Sequence, residues 1–186
     1  SSDFSNHVLD ATQAYYKVLS EDQLKGLPPS SVELLKQYGQ QRELEQPVAT
    51  LDIPAYLAIM TYADDRALRE TLYQAYTTRA SDQSAQSEFD NTPIMEEILR
   101  LRQEMAQLLG FNNYAELSLA SKMAPSVEAV DQFLRELAEH ARAPAEQEIA
   151  ELKAIAAQDG IDTLQPWDTG YYSEKLKLQQ FNLSQE

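Results

Sequence analysis

The chain has 186 residues, 43% apolar and 24% charged, a composition that supports a folded core and argues against disorder. Thirty Asp and Glu against fifteen Lys and Arg give a formal net charge of −15, which repels nucleic-acid phosphates and anionic lipid headgroups and so argues against both as partners. Cysteine is absent, which excludes disulfides and thiolate metal ligands, and no apolar run approaches the roughly 18 residues of a membrane span. Residues 1–10 have no basic and apolar leader pattern, and the sequence reads as cytoplasmic. Residue 1 is not Met, and Ser184 followed by Glu186 resembles the opening of a further helix, so both ends are expected to be cut from a longer chain.

Phe4, Val8, Ala11, Tyr15 and Val18 recur at the three- and four-residue spacing of one helix face and predict a first helix to about residue 19. Gly26-Leu27-Pro28-Pro29 breaks that pattern. Ser30 with Glu33 then reads as a capping box that opens a weakly amphipathic, peripheral helix to about residue 46. After Pro47, the β-prone run Val48-Ala49-Thr50-Leu51 predicts one short extended segment, too little for a sheet by itself. Asp52 with Pro54 opens a helical turn through Met60. Asp64 is placed to cap a helix whose Leu68, Leu72, Ala75 and Tyr76 form a buried stripe that fades near Ser81. The stretch near 81–91 turns polar and reads as a loop.

Thr92 before Pro93 reads as a cap with a first-turn proline, and Ile94, Ile98, Leu101, Met105 and Leu108 hold helical spacing for four turns. Gly110 is placed to end this helix in the left-handed conformation, and Asn113 with Glu116 caps the next. From Ser126 to about residue 158, Val127, Val130, Leu134, Leu137 and Ala141 continue beyond Pro144 as Ile149, Leu152 and Ile155. They imply one long helix bent near 139–143, or two in tandem. Gly160 ends that run, and Pro166-Trp167-Asp168 leads into a last helix near 171–180. The periodic segments together predict a mostly all-α fold with about 60 to 75% helix.

The chemistry-bearing residues are sparse. A zinc hydrolase needs at least three converging ligands, and only His7 and His140 exist, on separate predicted helices and without His-Glu-x-x-His spacing. They read as partly exposed helix-face histidines. No Gly-x-Ser-x-Gly elbow or Gly-rich phosphate loop is present. The adjacent acids Asp64-Asp65 and Glu96-Glu97 point about 100° apart on a helix and read as caps and a solvated face. Ten tyrosines, including Tyr15-Tyr16 and Tyr171-Tyr172, either line a peptide-binding surface or pack with their hydroxyls at the boundary, and packing is favoured.

Particular strings carry more than patterns. Phe4-Ser5-Asn6-His7-Val8-Leu9-Asp10-Ala11-Thr12, Leu51-Asp52-Ile53-Pro54 and the run from Met60-Thr61-Tyr62 to Ala75-Tyr76-Thr77-Thr78-Arg79-Ala80-Ser81 are three of them. Leu108-Leu109-Gly110-Phe111 with Asn113-Tyr114-Ala115, and Pro166-Trp167-Asp168 with Tyr171-Tyr172-Ser173-Glu174-Lys175, complete the set. In that order, over nearly all of the chain, they closely resemble the thimet oligopeptidase family of zinc metallopeptidases. The resemblance implies a much longer, mostly helical molecule in which two lobes flank a deep channel that admits short peptides. It implies zinc held by a His-Glu-x-x-His helix and a later Glu, with a Tyr and a His assisting, all downstream of the stretch resembled here. None of these maps onto a position of this sequence, so no catalytic, cofactor-binding or metal residue is assigned.

Residues 1–186 are accordingly expected to form a single helical lobe, an interior piece of a longer oligopeptidase with no complete catalytic domain. The implied cofactor is zinc in the parent, with none bound by this chain; the implied partners are short peptides and the missing catalytic lobe. Arg79 is weighed as a peptide contact and as one side of a helix-end salt bridge, the second favoured. The alternative from another class is a free-standing helical protein-interaction module.

Overall fold

The structure, a computed structural model, describes residues 2–182. The helix start expected at Ser184 lies outside the described residues. The elements in chain order are α1 (Ser2–Ala14), β1 (Tyr16–Val18), α2 (Pro29–Gln40), β2 (Val48–Thr50), α3 (Ile53–Tyr62), α4 (Arg66–Thr78), α5 (Thr92–Leu108), α6 (Tyr114–Leu119), α7 (Val127–Gln158) and α8 (Thr169–Phe181). Three short 3-10 turns, Glu21–Leu24, Ser87–Phe89 and Pro166–Asp168, punctuate them. The structure is 70% helical, so the mostly all-α class holds. Among the described residues no helix is long and apolar enough to cross a membrane.

The chain divides into two compact units. One comprises residues 91–150 with the first few residues of the chain, and the other residues 5–90 with those from 151 onward. In the second unit, β1 and β2 pair antiparallel, Tyr16 opposite Thr50 and Val18 opposite Val48, and the ribbon is extended by the Leu19 amide donating to the Pro47 carbonyl at 2.9 Å. This corrects the first helix, which stops at Ala14 rather than near residue 19. Tyr15 and Val18 fit helical spacing, but Tyr16-Lys17-Val18 is also β-prone and the waiting edge of β2 takes it. The sheet therefore has two short strands where one extended segment was expected.

Leu19, Leu35, Leu51, Ile59, Leu68 and Leu72 are almost wholly buried and form the main core among α2, α3, α4 and the ribbon. Leu35 belongs to that core, so α2 is not peripheral. Its start is also different: Pro28 is the cap and Pro29 occupies the first turn, where a missing amide costs nothing, so the Ser30 and Glu33 pair is not used as a capping box. The helix ends at Gln40 instead of near residue 46. Arg42 and Leu44 both donate back to the Gly39 carbonyl, at 2.9 and 3.0 Å, and Glu43 takes a left-handed conformation with φ of 59°. A smaller cluster of Leu152, Ile155 and Ala156 from α7 packs with Tyr171 and Tyr172 of α8, whose rings meet edge to face at 5.2 Å.

In the first unit, Asn91 rather than Thr92 occupies the N-cap position of α5, without a side-chain capping bond, and Pro93 is in the first turn as expected. Gly110 ends it at φ of 82°, while the Phe111 amide donates to Ala106 and the Gly110 amide to Gln107, a Schellman closure. The Asn113 side chain accepts from the Glu116 amide at 3.0 Å to start α6, as the sequence indicates. A single helix, not two in tandem, carries Pro144: α7 runs for 32 residues. Only Asn91 and Ala106 are buried among the described residues of this unit, and every residue from 131 to 151 is exposed.

Gly39 is held to glycine by packing, since a Cβ there would lie 2.2 Å from the Gln46 carbonyl oxygen. Gly39→Ala is expected to destabilise the second unit by about 1–3 kcal/mol, as forced overpacking does. Urea denaturation monitored by circular dichroism reads this as a lower midpoint, and an unchanged midpoint would show that the turn relaxes freely.

Candidate functional site

The two histidines fall in different compact units. His7 lies on α1, its Nδ1 buried without a hydrogen-bond partner and its ring 6.3 Å from that of Phe89. His140 lies on the exposed stretch of α7 with Nδ1 2.7 Å from the Glu136 carbonyl oxygen of its own helix. Among the described residues no three His, Asp or Glu side chains gather as a metal would require. The donor set of the described residues does not fit a zinc ion.

The densest polar constellation is a buried carboxylate held by two arginines. α4 begins where Asp65, not Asp64, accepts from the Leu68 amide at 3.1 Å, and the next turn projects Arg66 and Arg69 toward the 3-10 turn before α8. Asp168 in that turn is fully buried. Its Oδ1 accepts from Arg66 Nε and Arg69 Nη2, both at 3.0 Å, and its Oδ2 accepts from Arg66 Nη2 at 2.8 Å and from the Gln165 amide at 3.0 Å. Arg69, itself only 1% exposed, also donates to the carbonyls of Trp167 at 3.1 Å and Ala63 at 2.6 Å. Its guanidinium lies 4.1 Å from the ring centroid of Tyr171. The Tyr171 hydroxyl in turn donates to Asp64 at 2.7 Å, which gives Asp64 a partner in place of the expected capping role.

Burial pushes the Asp168 carboxyl up, but hydrogen bonds from Arg66, the Gln165 amide and Arg69 outweigh it and hold the group below its ordinary value. Burial, and donation to Asp64, raise the Tyr171 phenol. The constellation closes on Asp168: both carboxylate oxygens are engaged by the two guanidiniums and the Gln165 amide. Its chemistry is that of a clamp joining α4 to the start of α8, with no spare acid or base to offer a substrate.

A different feature is open. A concave surface of about 700 Å³ is lined in part by Tyr15 just after α1, Tyr16 of the ribbon, Gln74 and Thr78 from α4, and Arg79 and Gln83 beyond it. Arg79 donates to the Tyr76 carbonyl and lies 3.7 Å over the Tyr76 ring, which itself stacks on Tyr56 at 4.2 Å. The favoured helix-end salt bridge is therefore replaced by a carbonyl and an aromatic face.

The profile of Peptidase family M3 matches residues 59–186. The chain belongs to peptidase family M3. Oligopeptidase A of Salmonella typhimurium is 50% identical over 186 residues, which cover 98% of this chain and 27% of that protein. The probable cytosolic oligopeptidase A of Arabidopsis thaliana is 41% identical over 197 residues, covering 100% of this chain and 27% of that protein. The organellar oligopeptidase A of the same plant, named as chloroplastic and mitochondrial, is 40% identical over 197 residues, 100% of this chain and 24% of that protein. The chain spans about a quarter of the length of these relatives.

The M3 match takes in Arg66, Arg69, Arg79 and Asp168. Sequence reasoning missed the clamp: Asp168 appeared only inside the Pro166-Trp167-Asp168 string, and nothing local points across about a hundred residues to α4. Removing one side of such a buried pair leaves the other charge uncompensated, so Asp168→Asn is expected to cost about 3–5 kcal/mol. Lys175→Gln, which opens a half-exposed pair with Asp159, is expected to cost under about 1 kcal/mol. Urea titration of both variants checks the contrast, and similar small losses would sink the assignment. Because the Asp168 value is depressed by folding, its contribution is complete above the unfolded carboxylate pKa near ~4 and is lost as pH falls through the folded value.

Proposed function

We propose that this chain is a non-catalytic helical segment of a zinc-dependent oligopeptidase that hydrolyses short peptides, and that its helices help to shape the substrate channel. The observation that carries the reading is the extent of the match: half of all aligned positions identical over 98% of this chain, within a relative almost four times as long. The zinc, the catalytic residues and the water activation belong to the remainder of the parent. The cytosolic name of one plant relative supports a cytoplasmic location for the parent, whereas another is named as organellar.

The first unit supports a role as one part of a larger assembly. Leu99, Leu101, Met105, Leu108 and Leu109 of α5 and its end, with Phe133, Leu134 and Leu137 of α7, are all roughly half exposed or more. A helix bare over residues 131–151 derives little stability from packing, which is where most helical stability in proteins originates. The catalytic lobe is proposed as the partner that covers this surface.

Two measurements test the reading. The parent reading frame is expected to encode a His-Glu-x-x-His beyond Glu186, and its product to cleave a short unstructured peptide in a chelator-sensitive way, whereas the 186-residue chain alone cleaves none and retains no zinc after dialysis. Cleavage that the chain alone carries out and that survives only while His7 and His140 are intact would overturn it, as would a parent lacking that motif. The isolated chain should also bind a hydrophobic dye and self-associate more as salt rises. Screening shortens the repulsion between −15 chains to about 8 Å at physiological ionic strength. A strictly monomeric, dye-silent chain at all salt concentrations would favour the free-standing module.

A further inference from the structure

Of the five glycines in the chain, Gly160 alone follows an Asp or an Asn, so Asp159-Gly160 is the single step of that kind. It lies at the turn that leaves α7 on the way to α8, and both of its residues are exposed. An aspartyl side chain can cyclise onto the nitrogen of the following residue, and glycine hinders that attack least because no Cβ shields its nitrogen. The surroundings add room here, since nothing lies within 4 Å of where a Cβ on Gly160 would stand.

In the fold both reacting groups are held. Gly160 takes φ of 77°, its amide donates to the Ala157 carbonyl at 3.1 Å, and the Ile161 amide beside it donates to the Ala156 carbonyl at 3.0 Å. The nitrogen that would attack is thereby tied into the closure of α7. The Asp159 carboxylate accepts from Lys175 Nζ of α8 at 2.7 Å. That bond holds the carboxyl below its ordinary value, against a slight burial and with a lesser contribution from the Tyr172 hydroxyl. Cyclisation needs the neutral acid, whose hydroxyl can leave, so Lys175 both tethers the carboxylate and keeps it in the unreactive charge state. The tether is a light one, because the two side chains are 37% and 43% exposed.

We infer that Asp159-Gly160 is a site of spontaneous isomerisation to isoaspartate, restrained in the folded chain by Lys175 and by the helix closure around Gly160. The Gly160 nitrogen bonds to Cγ of Asp159 as the amide gives up its proton and the carboxyl its hydroxyl, so one water leaves and an imide ring forms. Water then adds back at either ring carbonyl. Addition at Cγ restores aspartate, whereas addition at the main-chain carbonyl of Asp159 leaves the nitrogen on Cγ and gives isoaspartate. Mass is unchanged overall, and nothing is oxidised or reduced. The product carries the backbone through the former side chain and so lengthens the turn between Ala156 and Ile161, both of which belong to the cluster around Tyr171 and Tyr172. The site stands on the residues of this turn and does not depend on the peptidase reading.

The experiment incubates the 186-residue chain in warm neutral buffer, folded and in guanidinium chloride. Isoaspartate is counted by methyl transfer from an isoaspartyl methyltransferase and located by mass spectrometry of a protease digest. The unfolded chain is expected to accumulate isoaspartate at residue 159 faster than the folded one. In the folded state Lys175→Gln should accelerate the reaction about two- to fivefold, the range that an exposed ion pair can hold back, and Lys175→Arg should restore the slow rate. In denaturant the two Lys175 variants and the unsubstituted chain should react alike. Asp159→Glu keeps the charge but would need a larger ring, and should accept no methyl group at that position in either state. Circular dichroism before incubation establishes that each variant is folded, and the Lys175→Arg rescue separates loss of the ion pair from loss of the fold. Absence of isoaspartate at residue 159 in the unfolded chain would overturn the site. Equal rates in the folded and unfolded chains, or a folded Lys175→Gln chain no faster than the unsubstituted one, would overturn the restraint.

Discussion

A fully buried carboxylate is costly to keep charged, and in this chain Asp168 is kept charged by enclosing it with two guanidiniums and a backbone amide. Much of the second unit follows from meeting that demand. α4 has to present Arg66 and Arg69 one turn apart on the same side, which requires the helix to start at Asp65. The 3-10 turn has to direct Asp168 inward and the Trp167 carbonyl toward Arg69. α8 must then begin at Thr169, so that Tyr171 lies under the Arg69 guanidinium and reaches Asp64. Arg69 is the pivot, since it touches α3's last carbonyls, the turn and α8 at once.

What the sequence discloses divides along the range of the forces involved. Gly110 as a left-handed helix end, Asn113 as a cap for Glu116, Pro93 in a first turn and the Leu68 and Leu72 stripe were legible because each is settled within about a turn of helix. The cap that slipped from Asp64 to Asp65 involves neighbours of the same residue type, whereas at α5 the helix starts one residue early, after an Asn91 whose side chain makes no capping bond. β1 was hidden for a different reason: Val18 fits helical spacing with Tyr15 and strand alternation with Tyr16, and β2, some thirty residues on, decides between them. α2 ended early because Gly39 lets the Gln46 carbonyl come close, an approach no local pattern records. The clamp and the Arg79 surface lie beyond local reading altogether.

The two units differ in how much of their stability is visible. The second buries leucines, alanines, two isoleucines and tyrosines in two clusters and adds the clamp. The first pairs Arg100 with Glu97 and Arg135 with Asp131 along its exposed faces, yet among its described residues buries only Asn91 and Ala106. Surface pairs of that kind contribute little, so helical propensity and caps carry residues 91–150 as they stand. Membership of peptidase family M3, together with a span of only about a quarter of its relatives, gives that thin core a natural context.

The clamp also orders events during synthesis. Arg69 is followed by 98 residues before Asp168 is made, and at about 5–20 residues per second that is a wait of roughly 5–20 s on the ribosome. Through that interval α3 and α4 can gather around their leucines, but Arg69 has no carboxylate to face and the Ala63 carbonyl no closed site around it. The second unit is thus assembled from both sides of an intervening segment, and its polar centre is sealed only when the last helix arrives.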